Sequence, residues 1–241
     1  MWRGKVVLVI PHQGLGDHII CNGLYRQLAL RSRRVYLIVK KSKHNQVKLM
    51  LRDLANVYFV QVPDKYEWKS VDIIQLIAKF LKIETVSLGF YGQSFFEANM
   101  RFDSNFYHQA KIDFIHRWKS FEYLRDEKKE MELFRVLVSS NEPYIFLHED
   151  AERGFLIDRD KVNSSMRIIE PLKLPSRFHI FDYFKIIELA REVHLIESSF
   201  AAFVESLNFK CSKFAHRYSR PEASNDFRHE FTYASDWTIL R

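Results

Sequence analysis

Chemistry in this chain concentrates at two strand-to-helix openings. The first is the loop PHQGLGD, residues 11–17, in which Asp17 follows Gly14 and Gly16. The glycines leave room for a ligand, and a helix starting near Asp17 turns its free amide groups into the loop. Asp17 stands where a helix N-cap or first-turn acid belongs. It equally suits an acid at the mouth of a cleft that takes a proton from a substrate hydroxyl. The second opening is Glu197-Ser198-Ser199, which either caps a helix or offers two hydroxyls and several amides to a phosphate. Glu205, two turns further on, reaches a ribose hydroxyl or lies in solvent. His148 and Arg153 flank the end of another apolar run, where arginine holds a leaving diphosphate and histidine does the same or donates a proton; the plain alternative is surface decoration. His12 and Arg117 are further cleft-facing candidates.

Several chemistries are disfavoured. A dinucleotide loop needs a third glycine where this chain has Ile19, and an acid after the second strand where it has Lys40 and Lys41. No Lys-Ser or Lys-Thr pair follows the glycines, which excludes an ATPase-type phosphate loop. Ten histidines without a close pair and two distant cysteines make no metal site, so none is expected. Ser198 and Ser199 run into Phe200 and Ala201, not the glycine of a hydrolase elbow. Metal-free group transfer from a nucleotide-linked donor fits what remains.

These residues need a scaffold. The continuous apolar run 6–10 reads as a buried strand of a parallel sheet, and Ile20, Leu24 and Leu28 repeat at helix spacing. Strands are predicted at 35–39, 57–60 and 85–88, with helices at 44–54 and from about 70, the latter carrying Ile73, Ile74, Ile77 and Leu81 on one side. Helices between strands argue a parallel sheet covered on both faces. The aromatic-rich stretch 89–126, including Phe95, Phe96 and a helix at about 105–110, reads as the passage between two lobes. A charged helix at 126–139 begins the second lobe. There, strands at 144–147, 166–169, 193–196 and 211–214 alternate with a turn at 170–175 and helices at 180–190 and after Ser199. The tail, 217–241, is expected to run back across the junction. The fold class is thus α/β in two lobes with a reduced C-terminal one, divided into 1–125 and 126–241, and the two openings are expected to face each other across a cleft.

At 241 residues and 47% apolar content, the chain has ample material for folded cores. Cys21 and Cys211 lie in apolar segments and are expected to be buried thiols in a reducing compartment. No apolar run approaches a membrane span, so a soluble cytoplasmic protein is expected. The formal charge of +7 has no nucleic-acid motif behind it; no nucleic-acid partner is expected, and an anionic surface or small substrate remains.

The segment GLGDHIICNGLYRQLA resembles the start of GT-B glycosyltransferases related to the heptosyltransferases, and HLIESSFAAFVESL resembles the donor-side motif of the same superfamily. FYHQAKIDFIHRWKSFEYLRD looks like the linker of small proteins of that type. The resemblance implies two Rossmann-like lobes, the first acceptor-side and the second binding a nucleoside-diphosphate sugar. It makes Asp17, preceded by Gly16, the base toward an acceptor hydroxyl. Ser198 and Ser199 then meet the diphosphate, and Glu205 loosely matches a ribose-binding acid. The expected activity is metal-independent inverting transfer to a glycan, lipid-linked or small-molecule acceptor, with no cofactor. A non-catalytic nucleotide- or carbohydrate-binding relative is the alternative.

Overall fold

A run such as Val-Val-Leu-Val-Ile, rich in β-branched residues and without alternation, suits a strand covered on both faces. In the computed structural model, β1 (Val6–Ile10) is such a strand, with Val7, Val9 and Ile10 wholly inaccessible. The structure describes residues 2–92, 99–138, 142–162, 165–172 and 177–241. They fall into two compact units, Met1–Leu124 and Arg125–Arg241.

In the first unit, β1 is followed by α1 (Leu15–Ile20), α2 (Asn22–Arg31), β2 (Arg34–Lys40), α3 (His44–Met50), β3 (Val57–Val62), α4 (Glu67–Phe80), β4 (Glu84–Ser87), α5 (Phe102–Gln109) and α6 (His116–Lys119). All strand pairs are parallel, in the order β3-β2-β1-β4. The chain builds outward from β1 to β3 and then returns to the far side of β1. That reversal leaves a crevice outside the carboxyl ends of β1 and β4, where open α/β sheets hold ligands.

The second unit comprises α7 (Glu127–Leu137), β5 (Tyr144–His148), β6 (Arg167–Ile169), α8 (Phe184–Leu189), β7 (Glu192–Leu195), α9 (Ser199–Glu205), β8 (Ser212–His216), α10 (Pro221–Asn225) and β9 (Trp237–Leu240). Its sheet is also all parallel, ordered β6-β5-β7-β8-β9. Here the reversal lies between β5 and β7, and their carboxyl ends lead to His148 and Ser198.

Four expectations are corrected. The predicted apolar side of α4 faces solvent: Ile73, Ile77 and Leu81 are exposed, while Val71 and Ala78 are buried and Ile74 packs against the core. Residues 102–124 are part of the first unit's body. The Asn22 side chain donates to the Glu122 carbonyl (2.9 Å) and accepts from its amide (3.1 Å), and the Tyr107 hydroxyl donates to the Ile20 carbonyl (2.8 Å). The tail adds β9 as an edge strand, with Lys213 opposite Trp237 and His216 opposite Leu240. Cys21 is buried, but Cys211, just before β8, is half-buried. Phe95, Phe96, Ser139 and the turn at 173–175 lie outside the described residues.

Arg117 is also corrected. Far from facing a cleft, it is fully buried, ion-paired to the equally buried Asp103, with its guanidinium 5.2 Å from the Trp118 ring centre. A buried cation is tolerated because a carboxylate and an aromatic face replace its water. Arg117→Leu is therefore expected to destabilise the protein by about 3–5 kcal/mol by stranding Asp103, read as a lower urea midpoint. An unchanged midpoint would contradict this structural role.

Candidate functional site

The loop leaving β1 is fixed from within. The Gln13 side chain is buried; its amide donates to the Pro11 carbonyl (2.8 Å) and its oxygen accepts from the Lys40 amide at the end of β2 (3.1 Å). Gly14 is the N-cap of α1, and Asp17 falls in the first turn, one of the two helix-start positions the sequence offered for it. Lacking a side chain to cap with, Gly14 instead donates its amide to Asp17 Oδ2 (3.1 Å). The same oxygen bonds His12 Nδ1 at 2.8 Å. A β-carbon on residue 14 would lie 2.6 Å from that oxygen, so glycine is what lets the carboxylate sit there. Gly16 lies within α1, half-buried.

His12 lines a cleft of about 610 Å³ with Gln13, Gly14, Lys40, Trp68 and Phe90 among its walls. Its ring meets Phe90 edge-on at 4.9 Å between centres. The turn after β4 reaches it through Gly89, whose φ is +61° and whose absent β-carbon would come within 3.1 Å of His12 Cβ. The side chains of His12 and Asp17 are 35% and 17% exposed, so the imidazole is the more open of the two. Burial pulls the His12 pKa down, but the hydrogen bond to Asp17 and that residue's charge outweigh it and leave the pKa raised. His12 Nε2 makes no hydrogen bond to the described residues. The neighbouring His18 is different: it is wholly buried, which lowers its pKa to about 4. At the cleft wall, Lys40 pairs with Glu67 (2.8 Å), and this bond lowers the Glu67 pKa.

In the second unit, Ser198 Oγ and His148 Nδ1 come together at 3.1 Å. Ser198 is the N-cap of α9 but makes no side-chain cap bond, and Ser199 opens the helix. Burial lowers the His148 pKa to about 4, so its ring is neutral at pH 7. Arg153 is exposed on a tight turn; it bonds Asp150 at 2.7 Å and lies 5.0 Å from the Phe155 ring centre. Glu205 does not reach solvent. Its carboxylate is buried and accepts from the Ala234 amide (2.7 Å), the Ser235 hydroxyl (2.9 Å) and Trp237 Nε1 (2.7 Å), so it anchors the tail. Among the described residues no three His, Cys, Asp or Glu side chains group to hold a metal, and no helix is long and apolar enough to cross a membrane.

The sequence matches no family model and no curated protein. Solved structures are similar throughout. A glycosyl transferase family 9 protein from Veillonella parvula superposes with a TM-score of 0.60 over 99% of this chain and 88% of its own, at 10% identity. The E. coli ADP-heptose LPS heptosyltransferase II gives 0.51 over 88% and 84%, at 10% identity. E. coli heptosyltransferase WaaC with ADP gives 0.51 over 98% and 93%, at 12% identity. This chain has their fold. At such identities the likeness is one of architecture.

His12 is the residue the sequence reading weighted least. Its pairing with Asp17 spans five positions across a loop, a spacing that belongs to no regular element. Asp17→Asn and Gly14→Ala are both expected to lower the His12 pKa, the first by removing the charge and the second by displacing it. An NMR titration of the imidazole protons measures this, and an unshifted His12 in both variants would show that Asp17 does not set its proton affinity.

Proposed function

We propose that the protein is a metal-independent inverting glycosyltransferase that moves a sugar from a nucleoside-diphosphate sugar to an acceptor hydroxyl. The observation that carries this reading is the His12–Asp17 pair, held at the carboxyl-end crevice of a sheet within a glycosyltransferase fold. Both bonds to Asp17 fall on Oδ2. The neutral imidazole takes the acceptor's proton on Nε2 while Asp17 orients the ring and stabilises the cation that forms. The loss of that proton sharpens the hydroxyl as a nucleophile, which attacks the anomeric carbon as the bond to the diphosphate breaks. Direct abstraction by the other oxygen of Asp17 is the simpler version of the same chemistry.

The second unit's part is the donor. Ser198, Ser199 and the exposed Arg153 offer hydroxyls and a guanidinium to the departing diphosphate, and a neutral His148 adds no opposing charge change at pH 7. Glu205 has no ribose role in this scheme, because its carboxylate is occupied by the tail. The acceptor is a glycan, a lipid-linked sugar or a small molecule.

Turnover of a panel of adenosine, guanosine and uridine diphosphate sugars tests the proposal, with ADP as the first binding probe because one structural neighbour was solved with it. Asp17→Asn is expected to lower kcat about a hundredfold to ten-thousandfold with folding retained. Diphosphate binding without transfer across a broad acceptor set would instead favour a non-catalytic relative. Because only the neutral imidazole accepts a proton, activity should fall as pH drops through the raised His12 pKa, and Asp17→Asn should move that fall to lower pH. An acid limb indifferent to replacement of His12 would assign the proton to Asp17 directly. Activity is expected to survive a chelator, and loss restored by added magnesium would overturn the metal-independent mechanism.

A further inference from the structure

A surface helix normally shows the core one apolar stripe and solvent a polar one. In α4 both faces are apolar. Val71, Ile74 and Ala78 pack inward. On the opposite face Ile73, Leu76, Ile77, Phe80 and Leu81 follow helical spacing and are each more than half exposed, Leu76 at 69% and Phe80 at 86%. No polar residue interrupts this stripe from Ile73 to Leu81 on the outward face, and contiguous exposed apolar surface of this kind marks an interaction site.

The surroundings indicate what covers it. Lys69 precedes Ile73 by one turn on the same face, Lys79 follows Leu76 by three residues, and Lys82 and Lys65 flank the two ends; all four are exposed. Of the acids nearby, Glu67 is tied to Lys40 and Glu84 to Lys5, which leaves Asp72 beside the stripe. Tyr66 and Trp68 stand exposed at the amino end, with the Lys69 ammonium 5.2 Å and 5.4 Å from their ring centres. Apolar side chains flanked by lysines whose stems are greasy and whose heads are charged, with Trp and Tyr alongside, match the layering of a bilayer's headgroup region. Two copies packed face to face through the stripe would bring these lysine rims together, so self-association is the poorer fit.

We propose that the outward face of α4 docks on an anionic lipid surface, with its five apolar side chains entering the acyl boundary and its lysines on the phosphates. The five stripe residues stand apart from the transfer chemistry, since none of them lines the His12 cleft, and only Trp68 at the amino end of α4 belongs to both surfaces.

Flotation of the full chain with phosphatidylcholine vesicles, with and without about 30% phosphatidylglycerol, tests it. The wild type is expected to float with the anionic vesicles, more strongly at low salt, with a blue shift and quenching of Trp68 by brominated lipid. The double variant Leu76→Gln with Phe80→Gln should bind about tenfold more weakly or worse while melting like the wild type, because both side chains are already in solvent. Lys79→Gln with Lys82→Gln should weaken binding to the anionic vesicles. Failure of the wild type to float, or equal binding by the apolar double variant, would overturn the proposal. So would concentration-dependent self-association, abolished by that variant, in a protein that ignores vesicles.

Discussion

The carboxylate of Asp17 occupies a position that any side chain on residue 14 would fill. From there one oxygen serves two purposes: it satisfies the free amide at the start of α1, and it holds the His12 ring by Nδ1. A cap and a charge partner are usually alternative roles for an acid at a helix start. Here a missing β-carbon allows both, and the raised proton affinity of His12 follows from the second. Gln13 completes the constraint by tying the loop to the end of β2, so the imidazole is presented by a backbone braced on two strands.

Topology explains why the candidate residues of each unit lie where they do. In both sheets a strand order that doubles back across the first strand opens a crevice at the carboxyl ends. The first unit places His12 and the turn carrying Phe90 there, and the second places His148 and Ser198. Each pairing joins residues from neighbouring strands that are distant in sequence: Ser198 bonds a histidine fifty positions earlier. Such contacts follow from strand order, which no local pattern encodes.

The strands were legible because their apolar runs are short, continuous and bounded by charges or turns, as in Val6–Ile10 and Tyr144–His148. Asp17 was legible as a first-turn acid, but its link to His12 was not. Arg117 and Glu205 were misjudged for a shared reason: a charged residue type signals exposure, and burial is decided by partners such as Asp103 or the amide of Ala234 that only the fold supplies. Helix α4 misled in the opposite direction. Its periodicity identifies a stripe but not which of two apolar stripes meets the sheet, and Val71, Ile74 and Ala78 take the inner face.

The acids of the second unit show how a short chain closes a five-stranded sheet. Glu197 Oε1 accepts from both Nε and Nη2 of Arg217, at 3.0 and 2.8 Å, and from the Phe231 amide at 3.3 Å, while Arg217 also pairs with Glu230. Burial raises the Glu197 pKa, and Arg217 works against that rise. With Glu205 these contacts bind the tail to α9 and set β9 against β8, so buried charge holds the edge strand in place. The consequence reaches the Ser198 opening. Glu197 is charge-matched by Arg217 and Asp150 by Arg153, which leaves the Ser198 hydroxyl and the neutral His148 imidazole beside each other at the opening. Beside Ser198 an anion meets these two groups rather than a bare Glu197 carboxylate, because Arg217 already matches that charge.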